Sequence, residues 1–216
     1  MNRNTIHQLA MGLALAIAAA SVHAADPEAV ARARAVFAKA VAGDGTAVKT
    51  ASEQFKQLHE GEPDHALLRA FWGTCLTLQG REALMPWNKL RYVEDGLAQI
   101  DKALGQLSPE KDRELLGGIS VGMETRLVAA STFLKLPDMF HRFDAGKRVV
   151  EESLRNPAFA TLPPALQGRF HYQAAMVAKQ EKRRADEIAS LQRAVEMDPQ
   201  GPDTAEAKAR LKALKS

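Results

Sequence analysis

Ala51, Phe55, Leu58 and Pro63 follow one another at steps of four, three and five residues, and that spacing constrains the fold more than anything else in the chain. It sets a small residue where two helices cross, an aromatic one turn later in the core, an aliphatic on the same face and a proline that stops the helix. Asp26-Pro27 supplies an N-cap and a first-turn proline, which predicts a partner helix over 27–42 that turns at Gly43-Asp44-Gly45. The pattern returns downstream. A helix over 64–79 carries Trp72-Gly73, with glycine where a neighbouring helix must come close. Gly96, Ile100 and Ala103, with Pro109 beyond, form its second half after eleven extra residues. Ala174-Ala175 and then Leu191, Ala194 and Pro199 make a further pair, and Asp203 caps a charged last helix to about 214.

These spacings resemble those of the tetratricopeptide-repeat superfamily. The resemblance covers nearly all of the chain after the N-terminal segment and implies an all-α, helical-hairpin solenoid of about four such repeats, closed by a C-terminal capping helix. A weaker third unit has helices expected at 110–135 and 144–154, with Ala145 and Val149 at its small and large positions. The signature residues are degenerate, and another helical-hairpin solenoid shares the same logic. The stretch Met85-Pro86-Trp87-Asn88-Lys89-Leu90-Arg91-Tyr92, with Leu136-Pro137-Asp138-Met139-Phe140 further on, is similar to exported bacterial proteins of this type. That likeness implies a fold and a compartment.

Leu90, Val93, Leu97, Ile100, Leu104 and Leu107 alternate at three and four, which predicts one helix over 86–106, roughly 30 Å long. Leu116, Ile119, Met123, Leu127, Ala130 and Leu134 make a matching stripe. Two long helices joined at Ser108-Pro109, with Gly118 and Gly122 admitting a close neighbour, are expected to form a central hairpin longer than its flanking repeats. Trp87 precedes the first stripe by three residues. The expectation is that it joins the core; if exposed, it docks a partner together with Lys89 and Tyr92.

The N-terminus reads as a leader. Arg3 precedes an uncharged run of 14 residues from Leu9 to Val22, and Val22-His23-Ala24 suits cleavage after Ala24. Residues 1–24 are therefore expected to be a cleaved signal peptide and 25–216 a single periplasmic domain. The run is shorter than the ~20 residues of a membrane span. The formal charge of +3 falls to +2 when Arg3 leaves, a balance that gives no polyanionic partner a footing. The densest basic run, Lys182-Arg183-Arg184, is neighboured by Glu181, Asp186 and Glu187, as on a solvated turn. With Ala and Leu abundant and only two Tyr and two Trp, helix formers dominate.

A search for reactive chemistry yields no constellation. Cys75 is the lone cysteine and reads as a small buried hydrophobe. His59 and His65, six apart, fit no helix face and no zinc spacing, so a surface pair is expected. Phosphate loops, nucleophile elbows and two-histidine metal helices are lacking, and no cofactor, metal or catalytic residue is assigned.

Function is then expected at the face lined by first helices. The superfamily register, carried over by resemblance, puts Phe37, Ala40, Ala70, Thr74, Thr77, Tyr172, Met176 and Lys179 on that face, with a cationic end at Arg169 and Lys179. Positions that grip a partner's terminal carboxylate in chaperone-binding members are Val36 and Ala40 here, so that activity is not implied. The groove either takes a segment of another protein or is filled by the chain's own side chains. The expected function is a non-enzymatic interaction module of the bacterial envelope that binds a protein or peptide, without nucleic acid or membrane insertion. The alternative is an envelope-polymer hydrolase with no linear motif.

Overall fold

In a computed structural model, which describes residues 26–215, the chain is helical almost throughout. The expected leader, 1–24, lies outside the described residues. The helices are α1 (Pro27–Val41), α2 (Gly45–Gly61), α3 (Ala66–Glu82), α4 (Pro86–Gly105), α5 (Pro109–Arg113), α6 (Val121–Phe133), α7 (Phe143–Arg155), α8 (Pro164–Gln180), α9 (Arg184–Met197) and α10 (Thr204–Lys215). Two short strands, β1 (Leu115–Leu116) and β2 (Ile119–Ser120), pair antiparallel between α5 and α6. Among the described residues no helix is long and apolar enough to cross a membrane.

Local chemistry sets the helix starts. The Asp26 carboxylate accepts the Glu28 amide at 3.0 Å, and Asp44 accepts those of Thr46 and Ala47 at 2.9 and 3.0 Å, which satisfies otherwise orphaned first-turn donors. Prolines occupy the first turns of α1, α4, α5 and α8, where their missing N–H costs nothing. Helices adjacent in sequence pack together: α1 on α2, α3 on α4, α6 on α7, α8 on α9, with α10 against α9. First members also touch across pairs, α1 on α3, α3 on α6 and α6 on α8.

Among the described residues the buried core falls into five clusters along these pairs. Phe37, Phe55 and Phe71 cluster, with Phe55 stacked on Phe71 at 4.6 Å and Phe37 edge-on to Phe71 at 5.0 Å. Ala51 and Phe55 are fully buried, as their spacing predicts. The α3–α4 seam is built on glycine. A Cβ on Gly73 would lie 2.7 Å from the Gly96 carbonyl oxygen, and one on Gly96 would lie 2.5 Å from the Gly73 carbonyl oxygen, so the two backbones approach as only glycine permits.

The expected helix over 110–135 does not form, and with it falls the long central hairpin. α5 ends after five residues, the chain turns back through β1 and β2, and α6 has 13 residues against the 20 of α4. Gly117 and Gly118 adopt φ of +62° and +81°, the pair of left-handed conformations of a two-residue hairpin turn. Two adjacent glycines also weaken a helix by ~1 kcal/mol each. The stripe therefore holds only from Met123 onward. The close approach expected at Gly122 is made by Asp112 of α5 rather than by α4, which lies along α3.

Candidate functional site

The face formed by α1, α3, α6 and α8 is bridged by the chain's own charges. Arg34 on α1 passes over the Phe71 ring, 5.7 Å from its centroid, and its Nη2 donates to Glu124 Oε2 on α6 at 2.6 Å. The Glu124 side chain is 9% exposed. Burial raises its carboxyl above the ordinary carboxylate range, while the neighbouring Arg34 and Arg169 guanidinium groups oppose that shift. A pair separated by 90 residues leaves no linear signal, and sequence reasoning missed it.

Most of the residues expected to line a groove here are removed from solvent by packing. Thr74 is buried and its hydroxyl meets that of Thr132 on α6 at 2.9 Å. Thr77 is buried and donates to the Thr74 carbonyl at 2.8 Å. Ala40 and Ala70 are fully buried. Tyr172 lies beneath α10 with Ala207 and Leu214; burial pushes its phenol up, and the Glu206 carboxylate adds to the shift. The recess beside Arg169 and Tyr172 holds only about 10 Å³, the bare minimum for a single water. Phe37 and Met176 are half-buried and Lys179 is exposed, while Arg169 sits 4.0 Å from Asp203. Thr74 is covered by α6, Thr77 by α4 and Tyr172 by α10, whereas Phe37, Arg169, Met176 and Lys179 keep part of their surface in solvent.

The turn between α3 and α4 has the opposite character. Trp87 is 67% exposed and Leu84 89%, and Met85 and Leu90 are exposed beside them in the chain. The expectation that Trp87 joins the core is corrected here. A Cβ on Gly80 would meet the Lys89 carbonyl oxygen and Val93 Cγ2, so the last turn of α3 covers α4 from about Lys89 onward and the first turn projects past it. The stripe is buried at Val93, Leu97 and Ile100, but its N-terminal end has no helix opposite. Tyr92 is half-buried, with the Arg91 guanidinium 5.3 Å from its ring centroid. Lys89 and Arg91 are exposed and have no ion-pair partner among the described residues. Sequence reasoning named Trp87, Lys89 and Tyr92 but passed over Leu84 and Met85, whose apolar character just before Pro86 was the available signal.

The remaining reactive groups are structural. Cys75 is fully buried, and burial pushes its thiol up to about 12, which leaves no thiolate at neutral pH. His59 and His65 are buried rather than at the surface. His59 stacks on Trp72 at 5.5 Å. His65 caps α3 through Nδ1, which accepts the Leu68 amide at 3.5 Å, so the imidazole takes the place of the usual short polar cap. Burial lowers both histidines, helped by Arg69 at His59 and opposed by Glu114 at His65. Among the described residues no three His, Cys, Asp or Glu side chains lie together as a metal site. Against models of known families, curated proteins and solved structures, the chain finds no match.

Proposed function

We propose that the chain is a non-enzymatic protein-interaction module of the bacterial envelope, a tetratricopeptide-like solenoid whose repeats are α1–α2, α3–α4, α6–α7 and α8–α9 with α10 as the cap. The pairing of consecutive helices and the contacts between first helices support that repeat reading. The signal-like N-terminus supports the periplasm. The observation that carries the function is the exposed Trp87, with Leu84, Met85 and Leu90 about it. Exposed large apolar side chains gathered in one short segment that also carries exposed Lys89 and Arg91 are the kind of feature that marks an interaction site, and indole is among the side chains most enriched where binding energy is concentrated. Lys89 and Arg91, exposed and without an ion-pair partner among the described residues, select a partner segment with apolar anchors and an acidic flank.

The test is to capture partners from envelope extract, identify them and measure affinity with the purified partner. Trp87→Ser is expected to weaken binding at least about tenfold with its urea midpoint unchanged, since truncating such a residue costs ~2 kcal/mol or more in binding and exposed substitutions shift stability by under ~0.5 kcal/mol. A double charge reversal at Lys89 and Arg91 is expected to weaken binding further in low salt. Lys179→Glu, on the opposite candidate surface, serves as the control. Undiminished binding by Trp87→Ser, or loss with Lys179→Glu alone, overturns the proposal.

A further inference from the structure

Away from the Trp87 surface, the segments that depart from the helical pattern enclose a cleft of about 660 Å³, within the range of small-molecule sites, ~300–1,000 Å³. Leu115 and Pro109 form one wall, and Ala158, Leu162 and Pro163 the other. Its polar end is fixed. The Arg126 guanidinium pairs with both Asp112 oxygens, and Asn156 Nδ2 donates to Asp112 Oδ2 at 2.9 Å. Ser120 is occupied as well, donating to the Asp112 carbonyl at 2.8 Å and accepting the Met123 amide at 3.2 Å.

What the cleft leaves unspent decides what it binds. The Asp112 charge is compensated by Arg126, so neither attraction for a cation nor bare repulsion of an anion remains. Two donors are left. One is the second amide hydrogen of Asn156, whose Oδ1 is already used by the Ala158 amide at 2.8 Å. The other is the Arg113 guanidinium, 73% exposed and paired with Glu110 at 3.3 Å, an exposed pair of the kind that contributes little. Apolar walls with two free donors, beside a Thr161 hydroxyl that already donates to the Ala158 carbonyl at 2.8 Å, suit an apolar body carrying an acceptor head. Building this shape requires the left-handed turn at Gly117-Gly118 and a glycine at 122, where a Cβ would collide with the Asp112 carboxylate. Departures from local preference of this kind concentrate at functional sites.

We infer that this cleft binds a small amphiphile with an aliphatic body and one carboxylate, the chain between the walls and the carboxylate toward Arg113 and Asn156. The test titrates the purified full chain with octanoate and with its neutral isostere octanamide, followed by methyl chemical shifts. Saturable shifts are expected at the Leu115 and Leu162 methyls, with octanoate binding about fivefold tighter than octanamide, as one partly exposed charge pair provides. In Arg113→Ala that ratio falls to about one. In Leu115→Glu, where an exposed wall residue becomes an anion, octanoate binding drops at least about tenfold while octanamide is less affected. Both side chains are largely exposed, so urea melts of the variants should match the parent. Trp87→Ser leaves the octanoate response unchanged, which separates this site from the protein-docking surface. No saturable shift at those methyls, an unchanged ratio in Arg113→Ala, or shifts centred on Leu90 would each overturn the inference.

Discussion

The α3–α4 seam makes a demanding test of the packing, because one atom added there should act with opposite sign from the same atom added elsewhere. In Gly73→Ala the new methyl would meet the Gly96 carbonyl oxygen at 2.7 Å, Ile100 Cγ1 at 2.9 Å and Gln99 Cβ at 3.0 Å. In Gly96→Ala it would meet the Gly73 carbonyl oxygen at 2.5 Å and the Thr77 amide nitrogen at 2.9 Å. Backbone atoms cannot rotate aside, so the helices must separate along a seam that also holds Val93, Leu97 and Ile100. Overpacking of this kind costs ~3 kcal/mol at the upper end of its usual range, and removing a helical glycine returns ~1 kcal/mol. A net loss of ~2 kcal/mol is expected for each variant. At Gly105, in the same helix, a Cβ meets nothing within 4 Å, and Gly105→Ala is expected to stabilise by ~0.5 kcal/mol. Urea unfolding followed by far-ultraviolet circular dichroism reads both. With m near ~2 kcal/mol/M, the seam variants should melt about 1 M earlier and the control slightly later. The double variant should lose less than the two singles together, because both methyls force the same separation. If Gly73→Ala or Gly96→Ala stabilises as the control does, α3 and α4 do not pack in this register.

Three further outcomes follow from the buried polar groups. His59, His65 and His171 are all held below the ordinary imidazole value of 6.5, chiefly by burial. The unfolded chain therefore protonates first, and stability present above pH ~6.5 is lost as the pH falls below it. The melting temperature should decline from pH ~7.5 to ~5.5, and a variant combining His59→Leu with His65→Asn, which keeps a cap, should show a shallower slope; an unchanged slope would deny these imidazoles that role. Arg34→Ala strands the Glu124 carboxylate and is expected to cost ~1–2 kcal/mol, less than a fully buried pair because the Arg34 side chain is 27% exposed; a double-mutant cycle with Glu124→Ala should show positive coupling, and none would mean that the bridge is incidental. Cys75 should resist a thiol reagent in the folded chain and react promptly in urea, whereas rapid native labelling would contradict its burial.

The sequence alone specified the elements whose signals are local. Asp26 capped the helix it precedes, the stripe from Val93 to Ile100 lay buried along α4, and Gly73 and Gly96 met where two helices cross, since periodicity, caps and small residues act within a few turns of chain. The failures have one physical cause, because burial of a position depends on what lies opposite it, and a stripe carries no record of its neighbour's length. Trp87 continued a helical face in the sequence, yet α3 ends before covering it. Leu116 and Ile119 kept a helical period, but two adjacent glycines preferred a hairpin, and backbone preference overrode the pattern. Thr74, Thr77 and Tyr172 stood at positions open to a groove in the repeat register, and only the packing of α6 on Thr74, of α4 on Thr77 and of α10 over Tyr172 buried them. The Arg34–Glu124 bridge and the Asp112, Arg126 and Asn156 cluster join residues far apart in the chain; such pairings exist only once the intervening helices are packed, so tertiary structure alone decides them.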